Sequence, residues 1–242
     1  MDSVIDDEES YCYNERNELT ERRSLAIRTT YLYDANESLI REKEEWNMDF
    51  YYVTSDDEKY AEAYYDKQNI KLLVCEKCKS GYGSVRTANY RVRFEGKKTG
   101  DFYHAPGCYI GNEKFFDMLE KYGITGYGIN EIDCTGWYDR RKNPIQVDAG
   151  YLREVEVLGR CGYMCNLDGT EVKKCESCGH VNIWDQKEVR GLRVPLETWD
   201  GSDIFSFSNW SGVMICSSRL KEACEKEKIK NIVFQPLETF RF

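Results

Sequence analysis

The stretch NEKFFDMLEKYGITGYGINEI, residues 112 to 132, reads as an amphipathic helix running into a strand. Asn112 stands where an N-cap belongs, Phe115, Met118, Leu119 and Tyr122 recur along one helical face, and Gly123 offers a stop. Near the C-terminus, SSRLKEACEKEKIKNIVFQPL begins at Ser217 and lies over the first stretch at a shift of 105 residues. Asn112 falls on Ser217, Lys114 on Arg219, Phe115 on Leu220, Leu119 on Cys224, Ile124 on Ile229 and Ile129 on Phe234. A second feature repeats at nearly the same period, because Cys75 and Cys78 in LLVCEKC fall on Cys175 and Cys178 in KKCESCGH at a shift of 100. Two features recurring together point to an internal duplication.

Working outward, DFYYVT (49 to 54) and IKLLV (70 to 74) read as strands, and Tyr90, Val92 and Phe94 alternate as a third. Residues 15 to 46 mix charges with Leu19, Leu25, Ile27, Tyr31, Leu32, Leu39, Ile40 and Trp46 in a loosely helical pattern, with Asp34 and Asn36 as a break and cap. The expected fold is therefore α+β: an acidic helical segment over 1–47, then two pseudo-repeated units over 48–147 and 148–242. Each unit would carry a CxxC knuckle, short strands and a helix.

The chain has 242 residues and a net charge of −9. Residues 1 to 47 hold thirteen Asp and Glu against six Lys and Arg, so most of the negative charge sits there. An acidic surface repels phosphate backbones, which counts against general nucleic-acid binding and favours a basic protein partner. MDSVIDDEES has no basic start followed by an apolar run, and nowhere do about 18 apolar residues run together. The chain thus reads as a soluble, cytoplasmic protein with no membrane span. In such a compartment eleven cysteines read as free or metal-bound rather than disulfide-linked.

A CxxC turn lets two thiolates reach one metal, and tetrahedral zinc needs four ligands. Three assemblies fit the spacing. Cys75, Cys78, Cys175 and Cys178 could surround one structural zinc between the two halves. Cys161, Cys165, Cys175 and Cys178 could form a local ribbon, though its CxxxC knuckle is one residue too long. Third, the thiols could be metal-free small hydrophobes. A redox pair would need a CxxC opening a helix, and neither motif is followed by a helical pattern.

Other chemistry is sparse. His104 and Cys108 in HAPGC read as a turn more readily than as a catalytic pair, and His180 as a loop histidine beside the second knuckle. There is no phosphate loop, nucleophile elbow or HExxH. WDGSDIFSFSNW, residues 199 to 210, reads as a turn feeding a strand with core aromatics, or as a partner-binding edge. RTANYRVRF, residues 86 to 94, is the one basic aromatic candidate for nucleic acid.

These elements in this order resemble the double-CXXCG motif immunity proteins of polymorphic toxin systems. The resemblance rests on DFYYVTSDDEKYAEAYY, LLVCEKC, EKFFDMLEKYGITGY, KKCESCGH and the ending DIFSFSNWSGVMICSSRLKEACEKEKIKNIVFQPL, and covers roughly residues 48 to 242. It departs from the pattern at Lys79, which replaces the first motif's glycine, while Cys161, Cys165 and residues 1–47 lie outside it. Met48 stands where such a protein would begin, so the acidic segment is either an added toxin-facing element or an upstream extension. The resemblance implies a non-enzymatic protein that neutralises a cognate toxin by stoichiometric binding, with the cysteine pairs as a zinc clamp. The rival reading is a zinc-ribbon-like protein of a nucleic-acid or transcription complex.

Overall fold

A computed structural model describes residues 10–13, 19–23, 27–33, 39–46, 49–181, 186 and 189–242. It divides into two compact units, Met1–Asp49 and Phe50–Phe242. The first is a four-stranded antiparallel meander of β1 (Ser10–Tyr13), β2 (Leu19–Arg23), β3 (Ile27–Tyr33) and β4 (Leu39–Trp46). The expected helix over this segment is thus overturned. Its sequence carries the reason: in IRTTYLY, Ile27, Thr29, Tyr31 and Tyr33 recur every second residue, a strand period in β-branched and aromatic side chains. The expected break and cap at Asp34 and Asn36 lie outside the described residues.

The second unit continues with β5 (Phe50–Thr54), β6 (Glu62–Tyr65), β7 (Ile70–Val74), β8 (Gly81–Arg86), β9 (Tyr90–Glu95), β10 (Phe102–Ala105) and β11 (Cys108–Gly111). Helix α1 (Glu113–Lys121) leads to β12 (Tyr127–Tyr138), β13 (Pro144–Ile145), β14 (Arg153–Val157), β15 (Gly159–Cys161), β16 (Cys165–Asn166) and β17 (Leu192–Arg193). The chain closes with β18 (Ile204–Phe207), β19 (Trp210–Ser217), helix α2 (Ser218–Lys226) and β20 (Val233–Pro236). Strands make up 41% of the chain, whereas the described residues hold two α-helices of nine residues each. The protein is mostly β, which corrects the α+β expectation.

One sheet runs in the order β10-β11-β14-β12-β9-β6 with β13 beside β12, and its end strands β6 and β10 lie close enough for the sheet nearly to close as a barrel. Val92, Phe94, Tyr103, Ile110 and Trp137 form its core, with Phe94 and Trp137 stacked at 4.4 Å. The other large sheet runs β15-β18-β19-β5-β20. Between the two, α1 and α2 bury Phe115, Phe116, Met118, Leu119, Leu220, Ala223 and Cys224 in one cluster with Val53, Val155 and Met214. Each such large apolar side chain contributes on the order of 1.5 to 3 kcal/mol by leaving water.

The pairing pattern repeats, but not as two self-contained units. In the first sheet β14 lies between β11 and β12, with Ile110 opposite Glu154 and Ile129 opposite Val155. In the second, β5 lies between β19 and β20, with Ile215 opposite Tyr52 and Phe234 opposite Val53. From Ile110 to Ile215 and from Ile129 to Phe234 the step is 105 residues; from Tyr52 to Glu154 and from Val53 to Val155 it is 102. Each half therefore gives its opening strand to the other half's sheet. Neither sheet is complete without both.

Two buried carboxylates fasten this exchange at matching positions. Asp101 accepts hydrogen bonds from the Lys230 N–H at 2.8 Å, the Lys114 ammonium at 3.0 Å and the Asn112 side chain at 3.1 Å. Asp203 accepts from the Thr125 N–H at 3.0 Å, the Arg219 guanidinium at 2.9 Å and the Ser217 hydroxyl at 2.8 Å. Each thus ties the start of its own helix to the turn after the other half's helix. Asn112 also caps α1, its side chain accepting from the Phe115 N–H at 3.1 Å.

Candidate metal centre

Strand β7 delivers the chain into the first knuckle, where the Cys75 N–H donates to the Ser80 carbonyl at 3.0 Å and the Lys79 N–H to the Cys75 carbonyl at 2.8 Å. The second knuckle makes the same two bonds: Cys175 N–H to His180 carbonyl at 2.9 Å and Gly179 N–H to Cys175 carbonyl at 2.8 Å. Both turns need a left-handed residue after the second cysteine. Gly179 takes it at φ 72 without a side chain, and Lys79 takes it at φ 58. The first knuckle's missing glycine has left the turn intact.

The two knuckles face each other across the halves. Cys75 Sγ lies 4.0 Å from Cys175 Sγ, and Cys78 Sγ 3.9 Å from Cys178 Sγ. All four sulfurs lie within 4.8 Å of one another. Ligands about 2.3 Å from a tetrahedral ion stand about 3.8 Å apart, so this donor set fits a thiolate-bound metal. The four cysteines form a cluster that can hold a metal ion.

The turns also prepare the sulfurs for such an ion. The Cys78 and Lys77 amides donate to Cys75 and lower its thiol to about 6, and the Cys178 and Ser177 amides lower Cys175 likewise. Burial, with neighbouring thiols adding to it, pushes Cys178 up to about 12. Four sulfurs this close repel one another as anions unless a cation shares them. Outside the cluster Lys77 meets Glu176 at 2.8 Å, a solvated ion pair bridging the knuckles.

The alternative ribbon ligands go elsewhere. Cys161 is buried at the end of β15 and donates its thiol to the Pro195 carbonyl at 3.7 Å, while Cys165 donates to the Tyr163 carbonyl at 3.4 Å. Burial raises both thiols, to about 11 for Cys161. Neither belongs to the four-sulfur cluster.

The remaining candidates fall into structural places. His104 sits on β10 with Nδ1 3.0 Å from Thr54 Oγ1, its ring stacked on Tyr109 at 4.7 Å and its pKa lowered to about 4 by burial. Burial drives the Cys108 thiol far upward, the reverse of an activated nucleophile. His180 is half-buried and uses its carbonyl in the knuckle, while burial lowers its ring pKa. In 199 to 210 Phe205 and Phe207 are fully buried on β18, which has a strand on each side rather than a free edge. Of the RTANYRVRF arginines, Arg86 pairs with Glu154 at 2.5 Å, Arg93 with Glu95 at 3.4 Å and Arg91 lies 3.8 Å from Asp66.

The aspartate clasps escaped the sequence reading, yet they left a trace. Asp101-Phe102-Tyr103 and Asp203-Ile204-Phe205 repeat an acid followed by two apolar residues, 102 positions apart. Among the described residues no helix is long and apolar enough to cross a membrane. No family model matches the chain, and no curated protein sequence matches it.

Proposed function

We propose that this protein is an immunity protein that binds a cognate toxin stoichiometrically and blocks it, using a structural zinc at Cys75, Cys78, Cys175 and Cys178 to lock its scaffold. The observation that carries the reading is the clamp itself. Its ligands come in pairs from two halves that already exchange strands, and four sulfurs fill a tetrahedral ion's coordination, leaving no position for substrate. Such an ion does folding work and holds a binding surface rigid. The family resemblance in sequence supports the same reading, with toxin neutralisation as the task and no reaction of its own.

The nucleic-acid reading is weaker because the arginines it would use are matched to Glu154, Glu95 and Asp66. Acidic charge concentrated in residues 1 to 47 suits a partner with a basic surface, whose association would slow markedly from low to moderate salt. The test is co-expression with the variable C-terminal domain of a secreted protein encoded beside this chain. The domain should be toxic alone, harmless in the presence of this protein, and recovered with it as a 1:1 complex. Persistent toxicity with both proteins soluble would refute the reading.

A further inference from the structure

The two knuckles share a backbone, but their surroundings differ. Around the second, Val172 and Val181 are 1% and 2% exposed and pack with Trp210, Leu237 and Phe240. A step of 100 residues, set by the cysteine pairs, carries Val172 back to Leu72, which is 52% exposed. Val74 shares Leu72's face of this hairpin and is 52% exposed; Tyr82 is 39% exposed near the start of β8, and Val85, on the other face opposite Lys71, is 49% exposed. Leu72 is thus open where its counterpart is covered, and Val74 adds an apolar side chain where the second half has Lys174.

This hairpin, β7 with β8, is a two-stranded sheet of its own. On the β8 side the Ser211 hydroxyl reaches the Tyr82 carbonyl at 3.4 Å, whereas β7 has no strand beyond it among the described residues. Proteins ordinarily blunt an apolar edge strand, because it recruits other strands. Here the edge is held in place at its end by Cys75 and the clamp. Charge adds a direction: residues 70 to 90 hold Lys71, Lys77, Lys79 and Arg86 against Glu76, in a chain of net charge −9. Lys77 and Arg86 are taken by Glu176 and Glu154, leaving Lys71 and Lys79 exposed beside the apolar residues.

We propose that this hairpin is the docking surface for the protein partner, and that β7 takes up an extended partner segment of apolar residues flanked by carboxylates, a local acidic stretch on a partner whose surface is otherwise basic. The proposal rests on the neutralisation reading for the partner's identity. Main-chain pairing along β7 would give register, Leu72 and Val74 would bury apolar side chains on one face, and Lys71 and Lys79 would meet the flanking acids. Because the clamp fixes the hairpin, little ordering is lost on binding.

The test measures binding of the full-length protein to the toxic C-terminal domain encoded beside it, by calorimetry and amide hydrogen exchange. Leu72→Asp with Val74→Asp should weaken binding by about 30-fold or more, the loss expected of a buried anchor. Melting temperature and metal content should stay unchanged, since both side chains are half exposed. Lys71→Glu with Lys79→Glu should slow association several-fold at low salt, and β7 amides should gain protection in the complex. If wild type binds and both variants bind equally well, the hairpin proposal fails while neutralisation stands. If wild type does not bind, both fail. If wild type instead binds a single-stranded oligonucleotide, and the lysine variant abolishes this, the hairpin is a nucleic-acid surface and the proposal is overturned.

Discussion

The two halves of the 50–242 unit solve one problem with unequal means. The second knuckle has its glycine and buries its flanks under aromatic residues; the first has a lysine at the left-handed position and leaves its hairpin bare. Yet both place a pair of sulfurs at the same centre, through the same two backbone hydrogen bonds. What the halves keep in common is therefore what holds them together: the cysteine pairs, the exchanged strands and the two aspartates. What differs lies on the outside, where a half is free to change.

The strongest challenge to this comparison is removal of the shared centre. Cys175→Ser with Cys178→Ser should release the metal and cost on the order of 5 kcal/mol or more, given about 10 to 16 kcal/mol for structural zinc in small peptides. Cys161→Ala with Cys165→Ala, which touches only the second half, should keep the metal and cost about 1 to 2 kcal/mol. Metal analysis and thermal melting distinguish the two. Equal effects would mean the centre is not shared between the halves.

The aspartates give the next largest effect and should not be equal. Asp203→Ala strands the Thr125 N–H and the Ser217 hydroxyl in the interior, at about 2 to 3 kcal/mol. Asp101→Ala should cost less, because its side chain is 12% exposed against 4% for Asp203. Burial alone would raise the Asp101 pKa, but the Lys230 N–H, Lys114 and Asn112 hold it below 3.8. A depressed carboxylate stabilises above its unfolded value, so this contribution is present above about pH 4 and disappears as pH falls through the lower folded value. Acid titration of the Asp101→Asn variant should lack that component.

His104 separates the halves by pH. It has Ser206 as its counterpart 102 residues on, so one half titrates here and the other does not. Burial lowers its pKa from 6.5 to about 4, and the unfolded chain therefore binds the proton more readily. Stability from this site is complete above about pH 6.5 and is lost as pH falls toward 4. His104→Gln should flatten denaturant midpoints across that window, and an unchanged slope would contradict the buried neutral ring.

The smallest effects lie in the knuckle turns. Lys79→Gly should stabilise by about 0.5 to 1 kcal/mol, since φ 58 suits glycine, whereas Gly179→Ala should destabilise by about 1 kcal/mol. Opposite signs in equivalent turns, read from chemical denaturation, would confirm that both use one backbone conformation.

Parts of this architecture were readable in the sequence because their signals are local. Asn112 to Gly123 shows a cap, an apolar stripe and a stop, and the cysteine pairs announce themselves by spacing. The strand exchange is not local: a shift of 105 residues shows that segments repeat, but not which sheet Phe50–Thr54 joins. In Leu19 to Trp46 scattered apolar residues among charges mimic a helical stripe, although Ile27–Tyr33 keeps the two-residue period of a strand. Cys161 and Cys165 looked like ligands by proximity in sequence, but each thiol turns to a nearby carbonyl instead.

The most direct test of the shared centre is X-ray absorption at the zinc edge on the purified full-length protein, with metal content measured on the same sample. One zinc per chain with four sulfur neighbours at about 2.3 Å is the expected result. Metal-free protein of equal stability, or a zinc with fewer sulfurs that depends on Cys161 and Cys165, would contradict it.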